Sequence, residues 1–235
     1  MRFAIYFTPP ADDPLAVCAS RWLGRDAFTG ALLEQAEVSA FDRAEIAELT
    51  AEPRRYGFHA TLKAPFELAP GMRPEQLIES FDHFAATTSG VSLPAITLGQ
   101  LGPFFALVPS DWSPQLNDLA DACVRHFEPF RAPLGADDIQ RRKPDSLSAS
   151  QRQHLLEWGY PYVFEDFRFH MTLSGQVPAQ QRPAMKAVLS DVFADHIDRP
   201  LGVSHLALFS EPERGAPFVL TRIASLRPVL QRNIA

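Results

Sequence analysis

The sequence predicts an α+β fold built largely from antiparallel sheet, on three observations. Strand-like apolar runs and helical patterns are mixed along the chain instead of alternating as regular strand–helix–strand units. The runs 96–101 and 104–108 are separated only by Gly102-Pro103, which suits a hairpin and is too short for a crossover. The chain then closes on two further strand-like runs joined by Glu211-Pro-Glu-Arg-Gly215. With 235 residues, the chain is long enough for one large domain or two small lobes that share a core, and the reading is of one domain over 1–235. No short-period repeat, low-complexity tract or flexible linker divides it.

The elements follow in order. Residues 2–8 read as a strand ended by Pro9-Pro10. Asp13-Pro14 opens a helix that runs to about Leu23, since Asp caps a helix and Pro fits its first position; Gly24 stops it. A helical turn is expected over 46–49 and a second strand over 56–65. Residues 73–87 form a helix with Leu77, Ile78, Phe81 and Phe84 at helical spacing, and 114–127 another with Leu116, Leu119, Ala120 and Cys123 on one face. Short helices are expected at 137–142 and 148–158, the second opened by the capping-box pair Ser148 and Gln151. A strand lies within 164–175, a helix over 179–193, and the closing strands over 203–210 and 217–226.

Several chemistries are excluded by what the chain lacks. The two cysteines, Cys18 and Cys123, form no Cys-x-x-Cys and read as buried thiols. No Gly-x-Ser-x-Gly elbow and no Gly-rich phosphate loop occur. No apolar run is long enough to cross a bilayer, and residues 1–7 read as a strand and not as a secretory signal, so a cytoplasmic protein with no membrane partner is expected. The net charge of −6 disfavours a long nucleic acid as partner, since neutralising a phosphate backbone requires a basic face.

One weak internal symmetry carries chemistry. Residues 58–62 are Phe-His-Ala-Thr-Leu and residues 169–173 are Phe-His-Met-Thr-Leu. On a strand, side chains alternate faces. His59 and Thr61 therefore share one face, as do His170 and Thr172, with apolar side chains behind each pair. If the strands stay regular, Lys63 joins the first polar face, and Arg168 and Ser174 join the second. Two such faces across a cleft suit one phosphate. Histidine titrates near neutrality, so one imidazole can take a proton from water while the other gives one to a leaving alkoxide. The threonine hydroxyls can hold the non-bridging oxygens. A single His-x-Thr means little; two inside matching strand patterns point to a shared site. Neither motif has a nearby Cys, Asp or Glu on its face to complete a zinc set, so no metal and no cofactor are expected. The remaining histidines, His83, His126, His154, His196 and His205, occur singly and read as surface or capping residues.

Paired His-x-Thr motifs on strands resemble the two-histidine (2H) phosphoesterase superfamily. Longer stretches, among them Arg54-Arg-Tyr-Gly-Phe-His-Ala-Thr-Leu-Lys-Ala-Pro-Phe66 and Trp158-Gly-Tyr-Pro-Tyr-Val163 followed by Phe167-Arg-Phe-His-Met-Thr-Leu173, resemble its bacterial DUF1045 branch, described as phosphonate-metabolism proteins. The resemblance implies a bilobal α+β fold: two pseudo-symmetric lobes with antiparallel sheets flanked by helices, and a central cleft between them. It implies His59 and His170 as the acid/base pair, with Thr61 and Thr172 on the phosphate oxygens. It also suggests a substrate-binding shell of Lys63, Arg168, Tyr56, Arg55, Tyr162 and Arg142, with Arg54, Arg141 and Tyr160 as further candidates. The implied activity is metal-independent hydrolysis of a small cyclic phosphate on a ribose or nucleotide, by a monomer. Phosphoribosyl 1,2-cyclic phosphate is the example the branch suggests, and RNA 2′,3′-cyclic ends or a non-catalytic phosphate-binding role are the alternatives.

Overall fold

Eight strands form one antiparallel sheet in the computed structural model, which describes residues 1–229. The strands are β1 (Arg2–Phe7), β2 (Ala60–Phe66), β3 (Val91–Leu101), β4 (Phe104–Pro109), β5 (Met171–Thr172), β6 (Arg199–Val203), β7 (His205–Glu211) and β8 (Val219–Ser225). Their order is β6-β3-β4-β5-β2-β1-β7-β8, with every neighbouring pair antiparallel. The order falls into two halves of four that meet at β5 and β2. A pseudo-twofold is visible in the connections: β1 reaches β2, and β4 reaches β5, through a helical excursion in each case. The two antiparallel halves that the family resemblance implies are thus present, joined edge to edge into a continuous sheet. The join pairs two strands that would otherwise leave unpaired backbone groups at open edges.

The helices are α1 (Pro14–Leu23), α2 (Arg43–Leu49), α3 (Ala51–Tyr56), α4 (Pro74–Thr87), α5 (Pro114–His126), α6 (Ala136–Arg141), α7 (Ala149–Trp158) and α8 (Arg182–Val192). Local chemistry explains their ends. The Asp13 carboxylate accepts from the Leu15 amide, and Gly24, at φ 78°, closes α1 in the left-handed region that glycine adopts without steric cost. Ser148 and Gln151 make the capping box of α7. Helix α3 and strand β6 were not foreseen, and the strand of 164–175 shrinks to the two residues of β5.

Strand alternation sorts the interior into two clusters. Phe3, Ile5 and Phe7 of β1, with Ala60 and Leu62 of β2, pack into the main core with α1, α4, α5 and α8. Ala4 and Tyr6, on the other face of β1, meet Ala207, Phe209, Phe218 and Ala27 in a smaller cluster with Tyr56 at its margin. The main core supplies the burial that holds the sheet, and the smaller cluster floors the site described next.

Candidate active site

The two His-x-Thr segments are hydrogen-bonded neighbours at the centre of the sheet, not facing walls of a cleft. Ala60 pairs with Met171 in antiparallel register. Extending that register by one residue either way sets His59 opposite Thr172 and Thr61 opposite His170. Each imidazole is therefore beside the hydroxyl of the other motif. All four side chains line one cavity of about 420 Å³, together with Tyr6, Tyr56, Phe104, Tyr160, Arg2 and Arg142, and with Ser174 at one edge.

Both imidazoles are held the same way. His59 Nδ1 lies 2.9 Å from the Gly57 carbonyl oxygen, and His170 Nδ1 lies 2.7 Å from that of Arg168. A carbonyl only accepts, so each Nδ1 carries the proton and donates it. Each Nε2 is thereby left to work: an acceptor when the ring is neutral, a donor when it is charged. Thr61 Oγ1 lies 3.3 Å from His59 Nε2 and donates to it in the neutral ring. Tyr6 packs on the His59 ring at 4.0 Å between centroids, with Tyr56 at 5.7 Å, and Phe104 lies 5.8 Å from His170.

These apolar walls set the proton affinities. Burial pushes the His59 imidazole down to about 4; its bond to the Gly57 carbonyl opposes the shift and the charge on His170 adds to it. Burial also lowers His170, against the pull of the Arg168 carbonyl. Both shifts favour the neutral form of the two rings at neutral pH. An anion between them restores proton affinity, because opposite charge favours the imidazolium.

The expected outer shell divides. Tyr56 and Arg142 line the cavity. Arg55 lines the adjoining one, its Nη1 bonded at 2.7 Å to Glu211 and its guanidinium over the Tyr56 ring at 4.3 Å. Lys63 is on the wrong face. The β1–β2 register shifts between Ile5↔Lys63 and Tyr6↔Thr61, and this bulge puts Leu62 and Lys63 together on the core side. Lys63 consequently shares the face of core residue Ile5, and its Nζ is buried against Glu128 Oε2 at 2.8 Å and the Val124 carbonyl at 3.0 Å. Arg168 is exposed, bonding the Glu165 and Phe167 carbonyls, because the chain before Met171 is not regular strand. Tyr162 is 45% exposed and packs edge-on against Tyr160 outside the cavity. Arg54 ties Leu23, Gln35 and Thr50 together and takes no part in the site.

Arg2, Tyr6, Glu52 and Phe104 are lining residues that the sequence reading missed. Arg2 and Tyr6 alternate away from Phe3, Ile5 and Phe7, so strand parity in the first segment carried the signal. Tyr6 is fully buried, and its hydroxyl has no partner among the described residues. His154, read as a surface or capping residue, is also buried. Its Nε2 and Nδ1 lie 3.5 Å from Glu165 and Asp166 respectively. One ligand atom from each of the three residues lies within 4.8 Å of the others, a spacing that partly exposed acidic groups also show without an ion.

The family profile that matches residues 61–219 is DUF1045, a protein family of unknown function. It spans well over half of the sequence. The chain belongs to the DUF1045 family. The matched stretch begins at Thr61, so His59 lies just ahead of it. Among curated proteins, this DUF1045 chain is 36% identical over 222 residues to the "ribose 1,5-bisphosphate phosphokinase PhnN" of Janthinobacterium sp. (strain Marseille), covering 93% of itself and 49% of the relative. It is 36% identical over 228 residues to the protein of the same name from Laribacter hongkongensis (strain HLHK9), covering 96% and 52%. The chain thus spans about half the length of the curated relatives it matches. Among solved structures it is similar to TT0787 of Thermus thermophilus, with a TM-score of 0.47 and 14% identity over 97% of this chain and 100% of the other. It is also similar to Escherichia coli LigT complexed with NADP+, with a TM-score of 0.43 and 13% identity over 96% and 97%. Both scores lie below 0.5, a level at which likeness of fold says nothing about chemistry.

Proposed function

We propose that this DUF1045 chain is a phosphodiesterase that opens a small cyclic phosphate by paired histidine acid–base catalysis. One observation carries the reading: two imidazoles, each pinned through Nδ1 to a carbonyl two residues earlier, present both Nε2 atoms and two threonine hydroxyls to a single cavity. A phosphodiester anion between them is met by Thr61 and Thr172 on its non-bridging oxygens. His59, the ring burial depresses further, stays neutral and takes a proton from water as the water oxygen bonds to phosphorus. His170 gains its proton with the anionic substrate and passes it from Nε2 to the leaving ester oxygen as the phosphorus–oxygen bond breaks. Charge that builds on the non-bridging oxygens is met by donors already in place. The step uses no metal.

The surroundings favour a sugar phosphate. Tyr56, Tyr160 and Phe104 offer flat apolar walls, and the Glu52 carboxylate at the rim can accept from sugar hydroxyls. The curated relatives are named for ribose 1,5-bisphosphate. Opening a 1,2-cyclic phosphate of ribose 5-phosphate at the 2-oxygen would yield that compound, which supports a ribosyl cyclic phosphate as substrate and a place in phosphonate breakdown.

The test is turnover of a panel of small cyclic phosphates with chelator present, for the wild type and for His59→Ala and His170→Ala. Each substitution is expected to lower kcat by roughly 10²–10⁴-fold. Activity that vanishes with chelator, or survives both substitutions, would sink the mechanism. Turnover confined to RNA ends would favour the RNA-processing alternative, and tight binding without turnover a binding role.

A further inference from the structure

A second cavity, of about 480 Å³, adjoins the histidine site and shares Arg2, Arg142, Tyr56, Glu52 and Pro65 with it. We propose that this cavity binds a second phosphate of the same substrate molecule, so that the substrate is a cyclic phosphodiester bearing a separate phosphomonoester. The proposal rests on the phosphodiesterase reading above and names the substrate class of that site.

The charges around the cavity leave a positive excess that points to an anion, even with the exposed carboxylate of Glu52 on its lining. Arg214 bonds both Glu67 and Asp138, and Arg141 also bonds Asp138, so that group is close to neutral. Arg2 and Arg55 share one carboxylate, that of the fully buried Glu211, which leaves one positive charge over. The amide of Gly215 also donates to that carboxylate at 2.9 Å, and the two guanidinium groups hold its proton affinity below the ordinary glutamate range. Glu211 is thus a fixed anchor that orients two arginines in advance of any ligand. Phe218 lies beneath both of them, at 5.9 Å and 5.7 Å.

Arg142 is the decisive residue. Among the described residues it has no carboxylate partner, and its guanidinium lies over the Tyr160 ring, 4.9 Å from the centroid. It borders both cavities. A cation without a counter-ion is stabilised most by a ligand that supplies one, and the guanidinium fork matches two oxygens of a phosphate. Tyr56, also common to both cavities, gives the intervening sugar a flat surface to lie on. A phosphate gripped here would hold the ring phosphate between the imidazoles, converting remote binding into alignment.

The test uses binding as well as turnover, so that the second site and the chemistry can fail separately. Calorimetry with ribose 1,5-bisphosphate and with ribose 1-phosphate compares ligands that differ by the second phosphate alone. Wild type is expected to bind the bisphosphate at least tenfold tighter. Arg142→Ala should reduce that ratio to threefold or less, and Arg142→Lys should leave it between the two, with thermal melts checking that both variants fold. The kcat/KM ratio for ribose 1,2-cyclic phosphate with and without a 5-phosphate should follow the same order. Equal affinity for both ligands in wild type, no binding of either at millimolar concentration, or a ratio that survives Arg142→Ala would overturn the second site. Ring opening without any preference for the phosphorylated compound would do so too, while leaving the phosphodiesterase standing. A preference that persists in the inactive His59→Ala protein would support the second site even if no cyclic phosphate were turned over.

Discussion

With Nδ1 of each ring committed to a carbonyl, the two histidines differ chiefly in what surrounds them, and that difference has a consequence for stability. His59 is packed between Tyr6 and Tyr56, and its affinity for a proton is pushed down to about 4. In the unfolded chain the same ring titrates near 6.5. Between these values the unfolded state binds more protons than the folded one, so stability falls as pH falls. The contribution is whole above about pH 6.5, declines through the interval and is gone below about 4. After a discount for the partial exposure of the ring, the loss is on the order of 1–3 kcal/mol. Urea unfolding of wild type and His59→Ala at pH 7.5, 5.5 and 4.5 checks this: the gap between the two proteins should narrow as pH drops. A constant gap would mean that the folded protein does not hold His59 neutral. The histidine and threonine pairs were legible in the sequence because each has the same apolar–polar alternation around it. Tyr6 was not, because a tyrosine within Phe-Ala-Ile-Tyr-Phe reads as one more core aromatic.

Gly57 shows how an element boundary shapes the site. It ends α3 at φ 79°, a left-handed value that suits glycine, and its carbonyl accepts from His59. A Cβ there would come within 2.3 Å of the Ala27 Cβ. Gly57→Ala therefore combines backbone strain with a clash, and a cost of about 3 kcal/mol is expected. Because the carbonyl must move with the strained backbone, kcat should fall by about tenfold or more. Denaturation together with steady-state kinetics checks both effects; a destabilised protein with wild-type kcat would show that the carbonyl does not orient the ring. The elements that sequence reading missed share a cause: residues that break regular structure sit where they do no harm. Pro53 falls in the first turn of α3, where the backbone N–H would have no intrahelical partner. Pro200 and Gly202 argue against a strand, but β6 is the outermost strand of the sheet, where a missing ladder bond is tolerated. Lys63 was misplaced by the bulge between β1 and β2, since one extra residue turns the next side chain to the other face, and the bulge leaves no mark in the composition; a second register shift returns Phe66 to the core.

At the scale of the whole molecule, the site lies on a narrow join. At its centre the sheet joins its two halves through the short β5, with Ala60↔Met171 as the paired residues, while an isolated bridge between Ser89 and Arg227 ties the chain before β3 to the chain after β8. So little ladder cannot by itself fix His170 relative to His59, and the support comes from behind the sheet. The indole Nε1 of Trp22, on α1, donates to the Leu173 carbonyl at 2.7 Å, and the Gly175 amide donates to the Leu49 carbonyl at the end of α2 at 2.6 Å. Met171 and Leu173 are themselves fully buried in the main core. Helices from the first half thus anchor the strand that carries the second motif. Trp22→Phe removes the indole donor and part of a buried ring, leaving a carbonyl without that partner and a small void. A loss of about 2–4 kcal/mol is expected, and Tm should fall by roughly 4–16 °C for a chain of this size. If the anchor sets the spacing of the two imidazoles, kcat should drop by about tenfold or more with a smaller change in KM, because phosphate binding tolerates a shift that in-line proton transfer does not. A lower Tm with unchanged kcat would instead mean that the single pair in the sheet holds the motifs in place, and that α1 stabilises the fold without aligning the chemistry.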